Sequence, residues 1–201
     1  MTLTRRTLLA SLAALALAGP ARAEPLSLDD ISAYLNGLKA VKTGFTQIDD
    51  DGMISTGTLY IRRPGRARFE YDPPNRALVM AGGGTLAIFD DKSNLPPEQY
   101  PLARTPLKLI LGRNIDLSRA NMVVAHRSDG TTTSVVAQDP ERPELGTIEL
   151  VFTGPPVELR QWIITSSDGS RTTVILGGLE EVEDLPAGLF SIQWAMEERG
   201  F

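Results

Sequence analysis

The sequence predicts a mainly β domain of the α+β class, with about ten or eleven strands in an antiparallel meander and a few short helices packed on it. Three observations predict this. Short stretches alternate apolar and polar residues with period two. In "GTLYIRRPGRARFEYDPP" (57–74), Leu59 and Ile61 share one strand face while Tyr60 and Arg62 share the other. Asp-Gly pairs at Asp51-Gly52, Asp129-Gly130 and Asp168-Gly169 fall between such stretches, where hairpins need residues that turn tightly. The connections are short, which antiparallel pairing tolerates and parallel pairing does not. So many strands curl into a barrel or an incomplete barrel. An incomplete barrel has an apolar concave face, and short amphipathic helices covering it would enclose a cavity for an apolar ligand. On pattern alone, a solid sandwich with helices on its edge fits as well.

Taken in order, residues 1–23 stand apart. "MTLTRRTLLASLAALALAGPARA" has a basic start at Arg5 and Arg6, an apolar run over 8–18, and a small-x-small end at Ala21, Arg22 and Ala23. This is the anatomy of a cleaved export signal, and the run is too short to span a membrane comfortably. "TRRTLL" also resembles a twin-arginine signal, with Leu where that motif usually has Phe, and either export route fits. The expected mature chain is a single domain over 24–201. Cleavage takes Arg5, Arg6 and Arg22 from 20 basic residues and nothing from 25 acidic ones, leaving a net charge of −8. Such a surface argues against nucleic acid as a partner and allows docking to a basic protein. The chain contains no cysteine, so no lipid anchor is expected and the product should be soluble.

"SLDDISAYLNGLKAV" opens the mature chain with a helix, Ser27 its N-cap and Asp30 three residues on. Ile31, Tyr34, Leu35 and Leu38 recur at helical spacing and need a surface to lie on. Strands are expected at 42–49, 53–62, 66–72, 77–81 and 85–90, then at 122–127, 132–138, 147–153, 157–166 and 171–176. Between the two groups, "LPPEQYPLARTPLKLILGRN" holds three prolines and then a compact helix. Thr105 is its expected cap, Pro106 suits its first position and Gly112 its end, with Leu107, Ile110 and Leu111 as the sticky face. The tail "EDLPAGLFSIQWAMEERGF" reads as a turn and one more short strand.

Catalytic chemistry has little to stand on. His126 is the single histidine, which weakens triads and His-based metal sites alike. "DDDG" (49–52) lacks calcium-loop spacing and reads as a hairpin turn. "GGG" (82–84) precedes a strand rather than a helix, so it is no dinucleotide loop. Glu180, Glu181, Glu183 and Asp184 read as a solvated loop. No catalytic residue, metal site or cofactor is expected, although a carboxylate-dependent hydrolase stays formally open.

Arg63 is the anomaly. It continues the apolar face of Leu59 and Ile61, where an unpaired guanidinium is costly. Read from the residues, it either snorkels to water at the strand end or is satisfied by something inside.

"FTQ" (45–47), the stretch from Gly57 to Pro74, and "TLAIFD" (85–90) together resemble the periplasmic outer-membrane lipoprotein carrier family, the LolA-like proteins. The matching residues are Phe45, Gln47, Gly57, Leu59, Arg63, Pro64, Arg68, Phe69, Tyr71 and Pro74. The resemblance is strong over 45–90 and architectural after Asn114. It implies an incomplete barrel with a helical lid over an apolar cavity. The implied function is a periplasmic carrier, not an enzyme, that takes the acyl chains of lipoproteins from an inner-membrane release transporter to an outer-membrane receptor. It also implies that Arg63 latches the lid. Leu59, Ile61, Phe69, Tyr71, Leu86 and Ile88, with Leu107, Ile110 and Leu111 of the lid, are then the expected lining. A monomer is expected. The alternative within the same fold is an envelope-stress sensor or scaffold. The chain departs from the family at Ala67, Gly82-Gly83 and Ala87, so its cavity could be shaped differently.

Overall fold

The computed structural model describes residues 24–118 and 121–201; the expected export segment, 1–23, lies outside the described residues. Helix α1 (Leu28–Gly37) starts where expected: Ser27 Oγ accepts the Asp30 N–H at 3.0 Å and donates to Asp30 Oδ2 at 2.7 Å. Strands β1 (Ala40–Ile48), β2 (Ile54–Arg62), β3 (Arg66–Tyr71), β4 (Leu78–Gly82), β5 (Thr85–Phe89) and β6 (Glu98–Pro101) follow. Helix α2 (Lys108–Leu111) then precedes β7 (Val123–Ser128), β8 (Thr133–Gln138), β9 (Thr147–Thr153), β10 (Glu158–Thr165), β11 (Arg171–Leu176) and the two-residue β12 (Glu180–Glu181). Helix α3 (Ile192–Glu198) ends the chain.

All pairings are antiparallel, and the sheet runs β6-β5-β4-β3-β2-β1-β11-β10-β9-β8-β7, with β12 added beside β1. The three Asp-Gly pairs turn the β1–β2, β7–β8 and β10–β11 hairpins as expected, with Gly52 at φ +80°. Edge strands β6 and β7 are not paired with each other, so the sheet is curled but not closed.

Among the described residues twelve strands form rather than ten or eleven, and the additions have a common cause. All four β6 residues are exposed, as are both β12 residues, so neither strand carries an apolar alternation to read. They are held by backbone pairing, β6 to β5 and β12 to β1. Glu180 and Glu181, expected in a loop, are therefore strand residues with solvated side chains. The tail forms no further strand. A short 3-10 turn (Ala187–Phe190) leads into α3, and Ser191 Oγ caps it by accepting the Trp194 N–H at 3.2 Å. Thr105 does not cap α2; its hydroxyl donates back to the Leu102 carbonyl at 3.0 Å, and Leu107 occupies the cap position.

The two sheet faces bury different things. The concave face carries the main core: Phe45, Leu59, Phe69, Leu150, Phe152, Trp162 and Val174 meet Ile31 and Leu35 of α1 and Leu107, Ile110 and Leu111 of α2. The convex face of β4 and β5 buries Leu78, Met80, Ala87 and Phe89 under Ala195 of α3. Ala87 thus faces away from the concavity, and its difference from the family pattern does not reshape the cavity. Arg62 Nη1 and Arg68 Nη1, on the convex side, donate to the carbonyls of Leu185 (2.6 Å) and Leu189 (3.0 Å) and strap the tail down.

Gly57 in β2 makes room for this core. A Cβ there would lie 2.0 Å from the Glu70 carbonyl oxygen and 2.8 Å from Phe45 Cε1. Gly57→Ala is expected to destabilise the protein by about 2–3 kcal/mol, read from chemical denaturation midpoints. Gly44→Ala, whose nearest neighbour would be 3.9 Å away, should cost less than about 1 kcal/mol.

Candidate functional site

Strands β6 and β7 are consecutive in the chain yet stand at opposite ends of the sheet. The segment between them therefore spans the gap. It leaves the β4–β5 turn through Leu102 N–H on the Gly84 carbonyl (2.8 Å) and reaches β8 through Gln138 N–H on the Met122 carbonyl (2.7 Å). In between, Leu102, Leu107, Ile110, Leu111, Ile115 and Leu117 are all buried against the concave face. Helix α2 is the middle of this bridging segment.

Polar contacts fasten the segment at both ends. At its C-terminal end, Arg63 Nη2 donates to the Gly112 carbonyl at 2.6 Å and to Asn36 Oδ1 at 3.3 Å. Gly65 N–H, from the same corner, donates to the Leu111 carbonyl at 2.8 Å. The last turn of a short helix leaves carbonyls without internal partners, and these donors serve them. Asn36 clamps the backbone of Ile115 in both directions: Nδ2 donates to the carbonyl at 2.7 Å, and Oδ1 accepts the N–H at 2.9 Å. Ser32 Oγ accepts the Leu117 N–H at 2.9 Å and donates to the Leu28 carbonyl. Helix α1 is thus tied to the bridging segment along its length.

At the other end, buried Asp139 after β8 holds Lys108 of α2 in an ion pair and accepts from Arg142 Nε at 3.3 Å. Arg142 Nη2 donates to the Ala103 carbonyl at 2.8 Å. The Lys108 hydrogen bond holds the Asp139 carboxyl below the usual carboxylate range.

The space left beneath the segment is in two parts. A cavity of about 360 Å³ opens at one end, lined by Phe69, Tyr71, Val79, Ile88, Leu107, Trp162 and Ile164, with Gln47 and Asn75 at its lip. A much smaller cavity, about 20 Å³, lies at the Arg63 end among Leu35, Ile61, Ile110, Leu159 and Trp162. Trp162, 1% exposed, lines both and packs edge-on against Phe69 at 6.2 Å. Two wider grooves, of about 540 and 610 Å³, are bordered by charged residues such as Glu197, Glu198, Asp90 and Asp91. They offer an apolar ligand a poorer surface.

The nine expected lining residues separate accordingly. Phe69, Tyr71, Ile88 and Leu107 line the open cavity, and Ile61 and Ile110 line the small one. Leu59, Leu86 and Leu111 are buried in the core that joins them. Ile88 is 36% exposed, because it stands at the opening. The Tyr71 hydroxyl donates to Gln47 Oε1 at 2.6 Å, and burial, with the nearby Asp49 charge, pushes its pKa up to about 12, so it remains a neutral phenol. Burial lowers the Arg63 guanidinium from its ordinary value. Nothing in the sequence marks Asn36, Ser32, Asp139 or Trp162; only Trp162's bulk in an apolar strand is a hint.

The chain matches the family profile described as "Outer membrane lipoprotein carrier protein LolA" over residues 36–193. It belongs to the LolA family. An outer-membrane lipoprotein carrier protein of Azotobacter vinelandii is 26% identical over 94% of this chain and 93% of its own length. One from Cupriavidus taiwanensis is 26% identical over 90% of this chain and 89% of its own. Among solved structures, a LolA superfamily protein from Nitrosomonas europaea aligns over 84% of this chain and 99% of that one, with 8% identity and a TM-score of 0.46. As a LolA-family protein the chain is a carrier in its coarse function, and its bridging segment occupies the lid position that the sequence resemblance implied.

The Asp139 clasp has a defined pH dependence. Its native carboxyl titrates below the unfolded value, so its stabilisation is complete above the ordinary carboxylate pKa of about 3.9 and disappears as pH falls through the lower native value. Asp139→Asn is expected to cost about 1–2 kcal/mol at pH 7. The difference from wild type should shrink below about pH 4, as read from denaturation midpoints across pH.

Proposed function

We propose that this protein is a periplasmic carrier that accepts the acyl chains of lipoproteins from an inner-membrane release transporter and delivers them to an outer-membrane receptor. Residues 24–201 would act as one domain, since all three helices pack on a single sheet. The export step rests on the sequence of residues 1–23. One observation carries the reading: an apolar concavity, open at one end, is covered by a segment that bridges the two edges of an unclosed sheet and is held by polar contacts.

The physics suits a carrier. Each methylene buried stabilises the complex by about 0.8 kcal/mol, so a fully enclosed acyl chain would bind too tightly to hand on. A lid that must break several hydrogen bonds, each worth about 1 kcal/mol, offsets part of that gain. Reclosure would then recover those bonds when cargo leaves, which makes release easier. The lining of the open cavity supplies no carboxylate, histidine or cysteine, which supports binding without catalysis. The net charge of the expected mature chain suits docking to basic partner surfaces.

Two measurements test this. The mature protein should bind an apolar fluorophore saturably, and a purified triacylated lipoprotein should displace it; a correctly folded protein showing no displacement removes the carrier reading. In a transfer assay, Arg63→Leu is expected to load lipoprotein but release it poorly. Loss of about 1–2 kcal/mol of lid closure raises the open population about 5- to 30-fold. Arg62→Leu, which alters only the convex-side tail strap, should transfer normally. Equal transfer by both variants would show that Arg63 has no lid function.

A further inference from the structure

The open cavity adjoins a second feature at its mouth. The groove of about 610 Å³ shares Asn75, Ala77 and Ile88 with it. Ile88 lines the cavity, and Phe89, the next residue of β5, packs on the convex side, yet both line the groove. The groove therefore leads from the mouth round the end of the sheet, beside the 72–77 loop, to the start of β2. It is apolar there: Met53 is 52% exposed and Ile54 65%. Two large apolar side chains exposed next to each other gain by being covered.

The same groove is acidic at its border. Asp72, Asp90 and Asp91 line it against Lys92 alone, which leaves two negative charges unbalanced. Arg76 is exposed on the 72–77 loop but does not line the groove. Among the described residues, none of the three carboxylates is in an ion pair. Asp72 accepts from Thr56 Oγ1 at 2.8 Å, Asp90 from the Lys92 N–H at 2.9 Å and Asp91 from the Arg76 N–H at 2.8 Å. An ionised carboxylate has about four acceptor positions, so each retains capacity for a basic side chain.

Covalent connection says what crosses this surface. An acyl chain held in the cavity meets its attached polypeptide at the mouth, and the polypeptide must leave over a surface bordering that mouth. A free protein partner needs on the order of 1,000 Å² of buried surface to dock specifically. A tethered segment is held at an effective concentration of about millimolar, so a few exposed contacts are enough to fill a groove.

We propose that this groove holds the first residues of the cargo polypeptide beyond its acylated end, and that it favours segments carrying lysine or arginine. This rests on the carrier reading and adds to it where the protein part of the cargo lies. Long basic side chains suit both features, since their stems cover Met53 and Ile54 while their charged heads meet Asp72, Asp90 and Asp91. Acidic segments at the same place are repelled.

The test compares three N-palmitoyl peptide amides, Gly-Lys-Lys-Gly, Gly-Ser-Ser-Gly and Gly-Asp-Asp-Gly, which share one acyl chain. On wild type at low salt the lysine peptide should bind about 3- to 10-fold tighter than the serine peptide, and the aspartate peptide more weakly than either, with the contrast shrinking at high salt. The combined variant Asp72→Asn, Asp90→Asn and Asp91→Asn keeps an acceptor at each place and should bring all three within about 2-fold. Glu197→Gln with Glu198→Gln, on α3, removes two charges elsewhere and should keep the contrast. As a second readout, the lysine peptide with benzoylphenylalanine as its last residue should photolabel residues 53–56, located by mass spectrometry. Equal binding of the three peptides, a contrast that survives the combined variant, or labelling only outside the groove overturns the assignment and leaves the carrier intact. A combined variant that loads all three peptides as wild type does but delivers lipoprotein poorly in the transfer assay overturns it in favour of a partner protein. Self-association of wild type in sedimentation that Ile54→Arg abolishes overturns it in favour of a second copy. If no peptide binds to folded wild type, the carrier reading fails and the groove assignment with it.

Discussion

The two edge strands of this sheet are neighbours in sequence, and the chain must cross from one to the other. That constraint organises the molecule. An unclosed curled sheet with an apolar inner face cannot leave that face in water, and the crossing segment is the part of the chain already placed to cover it. Its buried side chains extend the sheet's own core, so sheet and cover form one hydrophobic cluster. Cover and sheet nevertheless differ in how they are held. The strands are joined by continuous ladders, whereas the cover depends on apolar contact and a handful of polar fastenings. The part with the weaker hold is the part able to move.

Those fastenings have a common design. Arg63, Asn36 and Ser32 each address backbone groups of the crossing segment rather than its side chains. A short helix and the irregular chain after it expose carbonyls and N–H groups that a buried setting would otherwise leave unpaired. The contacts therefore recognise a conformation of the segment. If the segment changed shape they would be lost together, so an uncovered state would be distinct from the covered one rather than graded. Asp139 differs, since it holds charged groups, and it adds an electrostatic component at the opposite end.

The stretch around the β2–β3 corner fastens both sides of the sheet. Arg62 and Arg68 point to the convex face and hold tail carbonyls, and Arg63 points to the concave face and holds the cover. Strand alternation alone separates these roles, because adjacent residues face opposite ways. Both layers are thereby referred to one rigid hairpin. Changing any one of these three arginines is therefore expected to disturb mainly the layer that it holds.

The class of fold, the three Asp-Gly hairpins, the start of α1 and the strand face that Arg63 takes were legible in the sequence, because each depends on periodicity or turn chemistry within a few residues; whether Arg63 snorkels to water or is satisfied inside was left open there. The strands β6 and β12 were not legible, since their side chains are solvated and only backbone pairing holds them. The tail was misjudged as a strand because Ile192, Ala195 and Met196 find their surface on the convex face of β4 and β5, far away in sequence. Likewise, Leu59, Leu86 and Leu111 looked the same as Phe69 and Tyr71 in pattern, and only packing decided that the first three are core and the others border open space. The partners of Arg63 lie 27 and 49 residues from it, and Asn36 meets Ile115 across 79. Local sequence sets which face a side chain takes; which backbone group waits there is decided by contacts between distant segments, and those exist only once the sheet has curled and its edges have been bridged.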